Sequence, residues 1–220
     1  LTEQQRQLEV VEFLIDSGVL LFGEFQLKSG RTSPYFFNLA AINTGSKISR
    51  LADSYADRIL GSGLEFDLLF GPAYKGIPLA VSTAQALSRK GYDCGWAFNR
   101  KEIKRHGEGG IFVGAELQGK VLIVDDVLTA GSAIKESISL LGQTEAELTG
   151  AVVAMDREEK IKEGSSLSAV EQLQKDIGVP ILSLVVLEDV ILFFETTKKS
   201  SINGHAILES LYKHREKYGV

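Results

Sequence analysis

At 220 residues the chain suits one large domain, and a chain of this length buries on the order of 70% of its unfolded surface, enough for a core without metal or disulfide staples. Its 44% hydrophobic and 24% charged residues exclude a disordered chain. The 24 Lys and Arg against 29 Asp and Glu leave a net charge of −5, so no whole-chain footprint for nucleic acid or an anionic membrane exists, and any anion site is local.

Thr2 with Gln5 three residues on forms a capping box, and Leu8, Val11, Leu14 and Ile15 follow at helical spacing until Gly18. Residues 23–43 are rich in Gly, Ser and aromatics, with turn signals at Lys28-Ser29-Gly30 and Ser33-Pro34, and predict strands and turns. Ile48, Leu51, Ala52, Tyr55, Ala56 and Ile59 share one face of a second helix, with Ser46 the expected cap. Residues 68–70 are a short buried strand, followed by a Gly-Pro turn and a helix over 77–87; residues 96–98 give a further strand. The unit recurs at 121–124, where a β-branched run leads through a Gly turn to a helix with Ile134, Ile138 and Leu141 on one face. Residues 151–155 and 181–187 are further buried strands, separated by a charged loop over 157–168 and a helix ending near Gly178-Val179-Pro180. Ala206, Leu208, Leu211 and Tyr212 predict a closing helix. Strands written as continuous apolar runs with helices between them predict an α/β fold around a parallel sheet covered on both faces.

No apolar run approaches the roughly 20 residues that cross a bilayer. One cysteine, Cys94, and three histidines, His106, His205 and His214, exclude an internal disulfide and a multi-cysteine zinc site, and the cytosol is the expected compartment. The first residue is Leu1, which is compatible with a trimmed start.

Chemistry concentrates in three segments. At 121–133, four apolar residues end in Asp125 and Asp126, and a turn of Thr129, Ala130, Gly131 and Ser132 precedes a helix. Ligands of open α/β sheets bind at the carboxyl ends of strands, and amides of a small-residue turn opening a helix hold phosphate. Carboxylates accept from vicinal hydroxyls, so the acids beside that turn suit a sugar phosphate, and a magnesium ion nearby fits them too; the plain alternative is one acid capping the helix and the other solvated. Neither a Gly-x-x-x-x-Gly-Lys-Ser/Thr loop nor a Gly-x-Gly-x-x-Gly fingerprint occurs. The second segment, 99–110, places Arg100, Lys101, Lys104, Arg105 and His106 before Gly107, Gly109 and Gly110. A solvated hairpin leaves these glycines unexplained, whereas a mobile cationic loop would neutralise an anionic leaving group, exclude water and offer the His106 proton, an exposed loop imidazole being the plain alternative for His106. The third, 25–38, contains Lys28 at a turn and the adjacent aromatics Phe36 and Phe37, which alone would be ordinary core.

The first segment resembles the phosphoribosyl diphosphate-binding motif of the type I phosphoribosyltransferases. The third resembles the N-terminal signature of the orotate phosphoribosyltransferase family, and Phe70-Gly-Pro-Ala-Tyr74-Lys75-Gly76-Ile-Pro matches that family's next block; the resemblance runs from the first helix to the C-terminal strand and is closest to fungal members. It implies a type I phosphoribosyltransferase fold: one domain over 1–220, with about 1–45 contributing to a hood and the base site, about 64–190 forming the core sheet, and about 99–110 a mobile loop. It implies magnesium, the substrates orotate and phosphoribosyl diphosphate, and a cytoplasmic homodimer whose loop closes over the partner's site, with neither nucleic acid nor membrane as partner. By the same resemblance Lys28 reaches substrate and the backbone of Phe36 and Phe37 contacts orotate. Tyr74 and Lys75 bind phosphoribosyl diphosphate, Arg100, Lys101, Lys104 and His106 contact its diphosphate, and Asp125 and Asp126 hold the ribose hydroxyls. The turn of Val127, Leu128, Thr129, Ala130, Gly131, Ser132 and Ala133 surrounds the 5′-phosphate, and Arg157 recognises the orotate carboxylate. Lys101, Lys104, His106 and Asp125 are the expected catalytic residues. Ile103 and Arg105 depart from the family pattern, Ile103 being expected to pack on loop closure, and a fused decarboxylase is not expected within these 220 residues. A two-component receiver domain is disfavoured because about half the chain precedes the acidic pair and Asp156 follows too early. A regulatory protein on the same fold is the alternative, against which the cationic loop and orotate-like blocks stand.

Overall fold

Helix α1 (Glu3–Asp16) begins as its sequence dictates, with the Thr2 side chain accepting from the Gln5 amide and the Gln5 side chain from the Thr2 amide. The computed structural model describes residues 2–27, 30–104, 110–128, 131–161, 164–197 and 202–220. β1 (Leu20–Gln26) and β2 (Thr32–Phe37) pair antiparallel as a separate two-stranded sheet. The main sheet has six strands: β3 (Leu68–Gly71), β4 (Gly95–Lys104), β5 (Gly110–Gly114), β6 (Gln118–Val124), β7 (Glu145–Asp156) and β8 (Ile181–Val186), in the order β5-β4-β3-β6-β7-β8. All neighbours run parallel except β4 and β5.

The continuous apolar runs are explained by burial on both faces. Alternate residues Leu69, Leu122, Val124, Val152 and Ala154 join a core with α1, α2 (Gly45–Ser62), α3 (Gly76–Arg89), α6 (Leu187–Thr196) and α7 (Ile202–Tyr218). Their neighbours Leu68, Phe70, Val121, Ile123, Ala151 and Val153 face α4 (Ser132–Leu141) and α5 (Ala169–Ile177) on the other side. From β3 the chain crosses through α3 to β4, and from β6 through α4 to β7, in opposite directions across the sheet. β3 and β6 are adjacent, so a crevice opens where the order reverses, at their carboxyl ends.

Several local expectations are corrected. Thr44, not Ser46, caps α2: its hydroxyl accepts from the Lys47 amide, and the Ser46 hydroxyl bonds to Thr44. Residues 99–104, assigned to a loop, extend β4, because Asn99 pairs with Phe112 and Lys104 with Gly110 across a bulged ladder. The strand expected to reach residue 187 ends at Val186, and Leu187 opens α6, where the Asp189 carboxylate accepts from the Val186 amide at 2.8 Å. The stretch 157–168 carries isolated bridges between Glu159 and Gly219 and between Lys160 and Ser168, and it buries the Glu159 side chain, so it is not a simple solvated loop.

Candidate active site

The turn leaving β3 is closed on itself. A Cβ on Gly71 would lie 2.1 Å from the Gly76 carbonyl oxygen, and one on Gly76 would lie 2.6 Å from Pro72 Cδ, so both positions require glycine for close backbone approach. The Ala73–Tyr74 peptide is cis, and the Ala73 amide donates to Asn99 Oδ1 at 3.0 Å from the end of β4. Tyr74 is 70% exposed, and the Lys75 ammonium reaches across to Asp126 Oδ2 at 2.5 Å. An apolar cavity of about 520 Å³ opens beside this turn, lined in part by Leu39, Ile42, Ile48, Tyr74 and Pro78.

The acids at the end of β6 are fixed through the backbone. The Asp125 amide donates to the Val152 carbonyl (3.0 Å), the Asp126 carbonyl accepts from the Ala154 amide (2.6 Å), and Val127 bridges Met155 of β7. The Tyr55 hydroxyl, buried in α2, donates to the Asp125 carbonyl at 2.8 Å. Burial, with the neighbouring Asp126 charge second, raises the Asp125 carboxyl from 3.8 to about 6, against the opposing Asp126 amide and Lys75. Leu128 packs inward, Gly131 adopts φ +68° before α4, and Ser132 and Ala133 stand exposed in its first turn. A helix start leaves amides without intrahelical partners, and its dipole favours an anion there. Thr129 and Ala130 lie outside the described residues.

On β2, Phe36 is 39% exposed and stacks on Phe25 at 5.5 Å, while Phe37 packs partly against the core. Arg157, after β7, is brought to β2: its guanidinium lies 4.2 Å over the Tyr35 ring and donates to Ser33 Oγ at 3.0 Å and to Glu159. Lys28 lies outside the described residues, as does His106; Lys104 is described by its backbone in β4 alone. Arg100 Nη1 donates to the Gly110 and Phe112 carbonyls, both at 3.1 Å, and Lys101 is exposed. Among the described residues, no hydrogen bond or ion pair joins Arg100 or Lys101 to Tyr74, Lys75, Asp125 or Asp126.

The structure thus unites Lys75 with the acid pair, and Arg157 with β2. Sequence reasoning missed Tyr55, Asn99, Ser33 and Glu159, which hold these groups. Tyr55 counted only as a core residue; the available signal was that a buried tyrosine hydroxyl needs a partner.

Residues 38–172 match the family described as Phosphoribosyl transferase domain. Over 214 residues the chain is 51% identical to the orotate phosphoribosyltransferase of Marinobacter nauticus, covering 97% of this chain and 98% of that protein. The chain belongs to the orotate phosphoribosyltransferases. A second member, from Vibrio atlanticus, is 49% identical over 97% of this chain and 98% of its own length. The solved orotate phosphoribosyltransferase of Francisella tularensis aligns with a TM-score of 0.84 at 39% identity, over 96% of this chain and 100% of that one. These relatives are bacterial, which overturns the expected fungal affinity of this orotate phosphoribosyltransferase. No helix among the described residues is long and apolar enough to cross a membrane.

Proposed function

We propose that this chain transfers the 5-phosphoribosyl group of phosphoribosyl diphosphate to a ring nitrogen of orotate, in pyrimidine (UMP) biosynthesis. The nitrogen–carbon bond forms at the anomeric centre as the carbon–oxygen bond to diphosphate breaks, through an oxocarbenium-like transition state; orotidine 5′-monophosphate and pyrophosphate result, and the orotate nitrogen gives up its proton. The observation that carries this reading is the Lys75–Asp126 contact at the switch point, beside Asp125 and the exposed first turn of α4. One crevice thereby offers acceptors for a diol, amides for a monophosphate and a cation for a diphosphate.

Each side chain has a role that follows from its chemistry. Asp125 and Asp126 accept from the ribose hydroxyls, and the turn at 127–133 with the first amides of α4 holds the 5′-phosphate. The Lys75 side chain is 63% exposed, and an ion pair so open is worth about 1 kcal/mol or less, so Lys75 can leave Asp126 for the diphosphate. Tyr74 covers the same group. Arg157 takes the orotate carboxylate, and the backbone of Phe36 and Phe37, with Lys28, takes the ring. Arg100, Lys101, Lys104 and His106 bring charge, and from His106 a proton, to the departing pyrophosphate, which is where electrostatic stabilisation is largest. The protein itself forms no covalent bond; positioning and electrostatics supply the acceleration.

Among the described residues no group of three or more His, Cys, Asp and Glu side chains could hold a metal ion. Magnesium needs no such cage, since it keeps waters and is held by one or two carboxylates with substrate phosphates. Asp125 and Asp126 fit that limited role, and the ion supplies neutralising charge to the diphosphate. A homodimer in the cytoplasm completes the reading: the apolar cavity beside the exposed Tyr74 supports a second copy there, with the 99–110 segment reaching the partner's site. The test is an ultraviolet assay of orotate consumption with phosphoribosyl diphosphate and magnesium. Loss of orotate absorbance that needs all three components is expected; folded protein that consumes none would refute the assignment.

A further inference from the structure

Stretches far apart in sequence converge behind the base side of the site: Arg31, Ser33 and Tyr35 around β2, Arg157 and Glu159 after β7, and His214 and Tyr218 in α7. Glu159 lies at their centre. Its Oε1 accepts from Arg157 Nε at 2.7 Å, lies 2.6 Å from Arg157 Nη2, and accepts from His214 Nε2 at 2.9 Å. Its Oε2 accepts from Arg31 Nη1 at 3.3 Å, and the Tyr35 hydroxyl stands 3.5 Å from Oε1. Burial pushes the Glu159 carboxyl up, but the His214 hydrogen bond and the charge and hydrogen bond of Arg157 outweigh it and hold the group at about 2. The backbone is pinned from the same side, with the Lys160 amide donating to the Tyr218 carbonyl at 2.8 Å and the Val220 amide to the Glu158 carbonyl at 3.1 Å.

The consequence falls on Arg157. Nε and Nη2 are held by Glu159, Nη2 also by Ser33, and the guanidinium plane is seated on Tyr35. Among the described residues Nη1 makes no hydrogen bond. Glu159 therefore takes the side edge of the guanidinium and leaves the end carrying Nη1 for another anion. An arginine fixed beforehand loses little rotamer entropy on binding a carboxylate, whereas a free one loses most of its own. We propose that Glu159 is a positioning residue which, with Ser33 and His214, holds Arg157 ready for the carboxylate of the base substrate and so couples helix α7 to base recognition. This rests on the reading of Arg157 as the receptor of that carboxylate.

The test is steady-state kinetics of the intact protein, its Glu159→Gln and Arg157→Ala variants, and the double variant, with each substrate varied in turn. Glu159→Gln is expected to raise KM for orotate about tenfold, while kcat and KM for phosphoribosyl diphosphate stay within about twofold. In the Arg157→Ala background, Glu159→Gln is expected to add nothing, because it acts through that arginine. An unchanged orotate KM in Glu159→Gln, an equal rise in both KM values, or a full effect without Arg157 would overturn the proposal alone. An unchanged orotate KM in Arg157→Ala would instead overturn the role of Arg157, and the proposal with it. Should Glu159→Gln fail to fold with its cations unpaired, His214→Ala leaves the carboxylate and both guanidinium groups in place. It is expected to raise orotate KM about threefold, with His214→Gln restoring part of the loss, and no rise would refute the proposal.

Discussion

On the proposed reading Asp125 meets the substrate hydroxyls, and its burial in the free protein disfavours its charge. Its carboxyl moves from 3.8 to about 6, first because it is buried and second because Asp126 is beside it. A rise of about two units at 1.36 kcal/mol each corresponds to about 3 kcal/mol of stability. The sign follows from where the proton sits. Below about pH 4 the carboxyl is protonated in both folded and unfolded chains and the penalty is absent. Between about pH 4 and about pH 6 only the unfolded chain ionises, so the penalty grows, and above about pH 6 it is complete. Asp125→Asn carries no such charge and keeps a carbonyl oxygen that accepts from the Asp126 amide. The variant is therefore expected to exceed the parent by up to about 3 kcal/mol in urea denaturation near pH 7.5, and to lose that advantage near pH 4. In calorimetry with magnesium, the same variant is expected to bind phosphoribosyl diphosphate at least about tenfold more weakly, since an amide presents one acceptor where a carboxylate presents two. Binding by the parent should also weaken as pH falls through about 6, where Asp125 gains a proton. A variant no more stable than the parent near pH 7.5, or one whose gain is the same at both pH values, would refute the claim that this site is held at a cost in stability.

Tyr55→Phe leaves the buried Asp125 carbonyl without its donor and should lower stability by about 1–3 kcal/mol in the same denaturation experiment; a smaller loss would mean that the hydroxyl does not hold the loop. Gly71→Ala drives a Cβ into the Gly76 carbonyl and should weaken phosphoribosyl diphosphate binding more than orotate binding, with about 1–3 kcal/mol of lost stability; equal loss of both affinities would disconnect this turn from the diphosphate. Lys101→Ala should lower kcat by about 100-fold with little change in either KM, and an unaffected kcat would remove Lys101 from the reaction. If the 99–110 segment acts on the partner's site, mixing the impaired Lys101→Ala and Asp125→Ala proteins should raise activity above the sum of the two alone through hybrid dimers. No recovery after proven subunit exchange would place that segment on its own subunit's site.

The main sheet was legible because parallel strands covered on both faces must be apolar throughout: residues 151–155 and 121–124 carry no polar side chain and are fully buried. α6 was not, because Val190, Ile191, Phe193 and neighbouring apolar residues form an unbroken run whose periodicity a strand would share, and only the Asp189 cap marks it. β5 escaped because five residues that begin with Gly110 and end with Gly114 look like the end of a loop until β4 is present to pair with them. The same division holds in the site. Asp125, Asp126 and the turn after them lie in one window, so residue type and spacing carry the chemistry. The environment of Arg157 does not: β2 brings Ser33 to it, and Glu159, after β7, is held there with His214 of α7, and a charged stretch such as 157–168 has the same composition whether its charges are solvated or buried in pairs. Burial is what separates the two cases, because a carboxylate can stay charged among Tyr35, Arg157 and His214 only when its cations are already in place. The geometry that prepares Arg157 for a carboxylate on this proposal is thus a property of the tertiary fold, set by residues as far apart in sequence as Tyr35 and His214, whose rings meet at 5.8 Å.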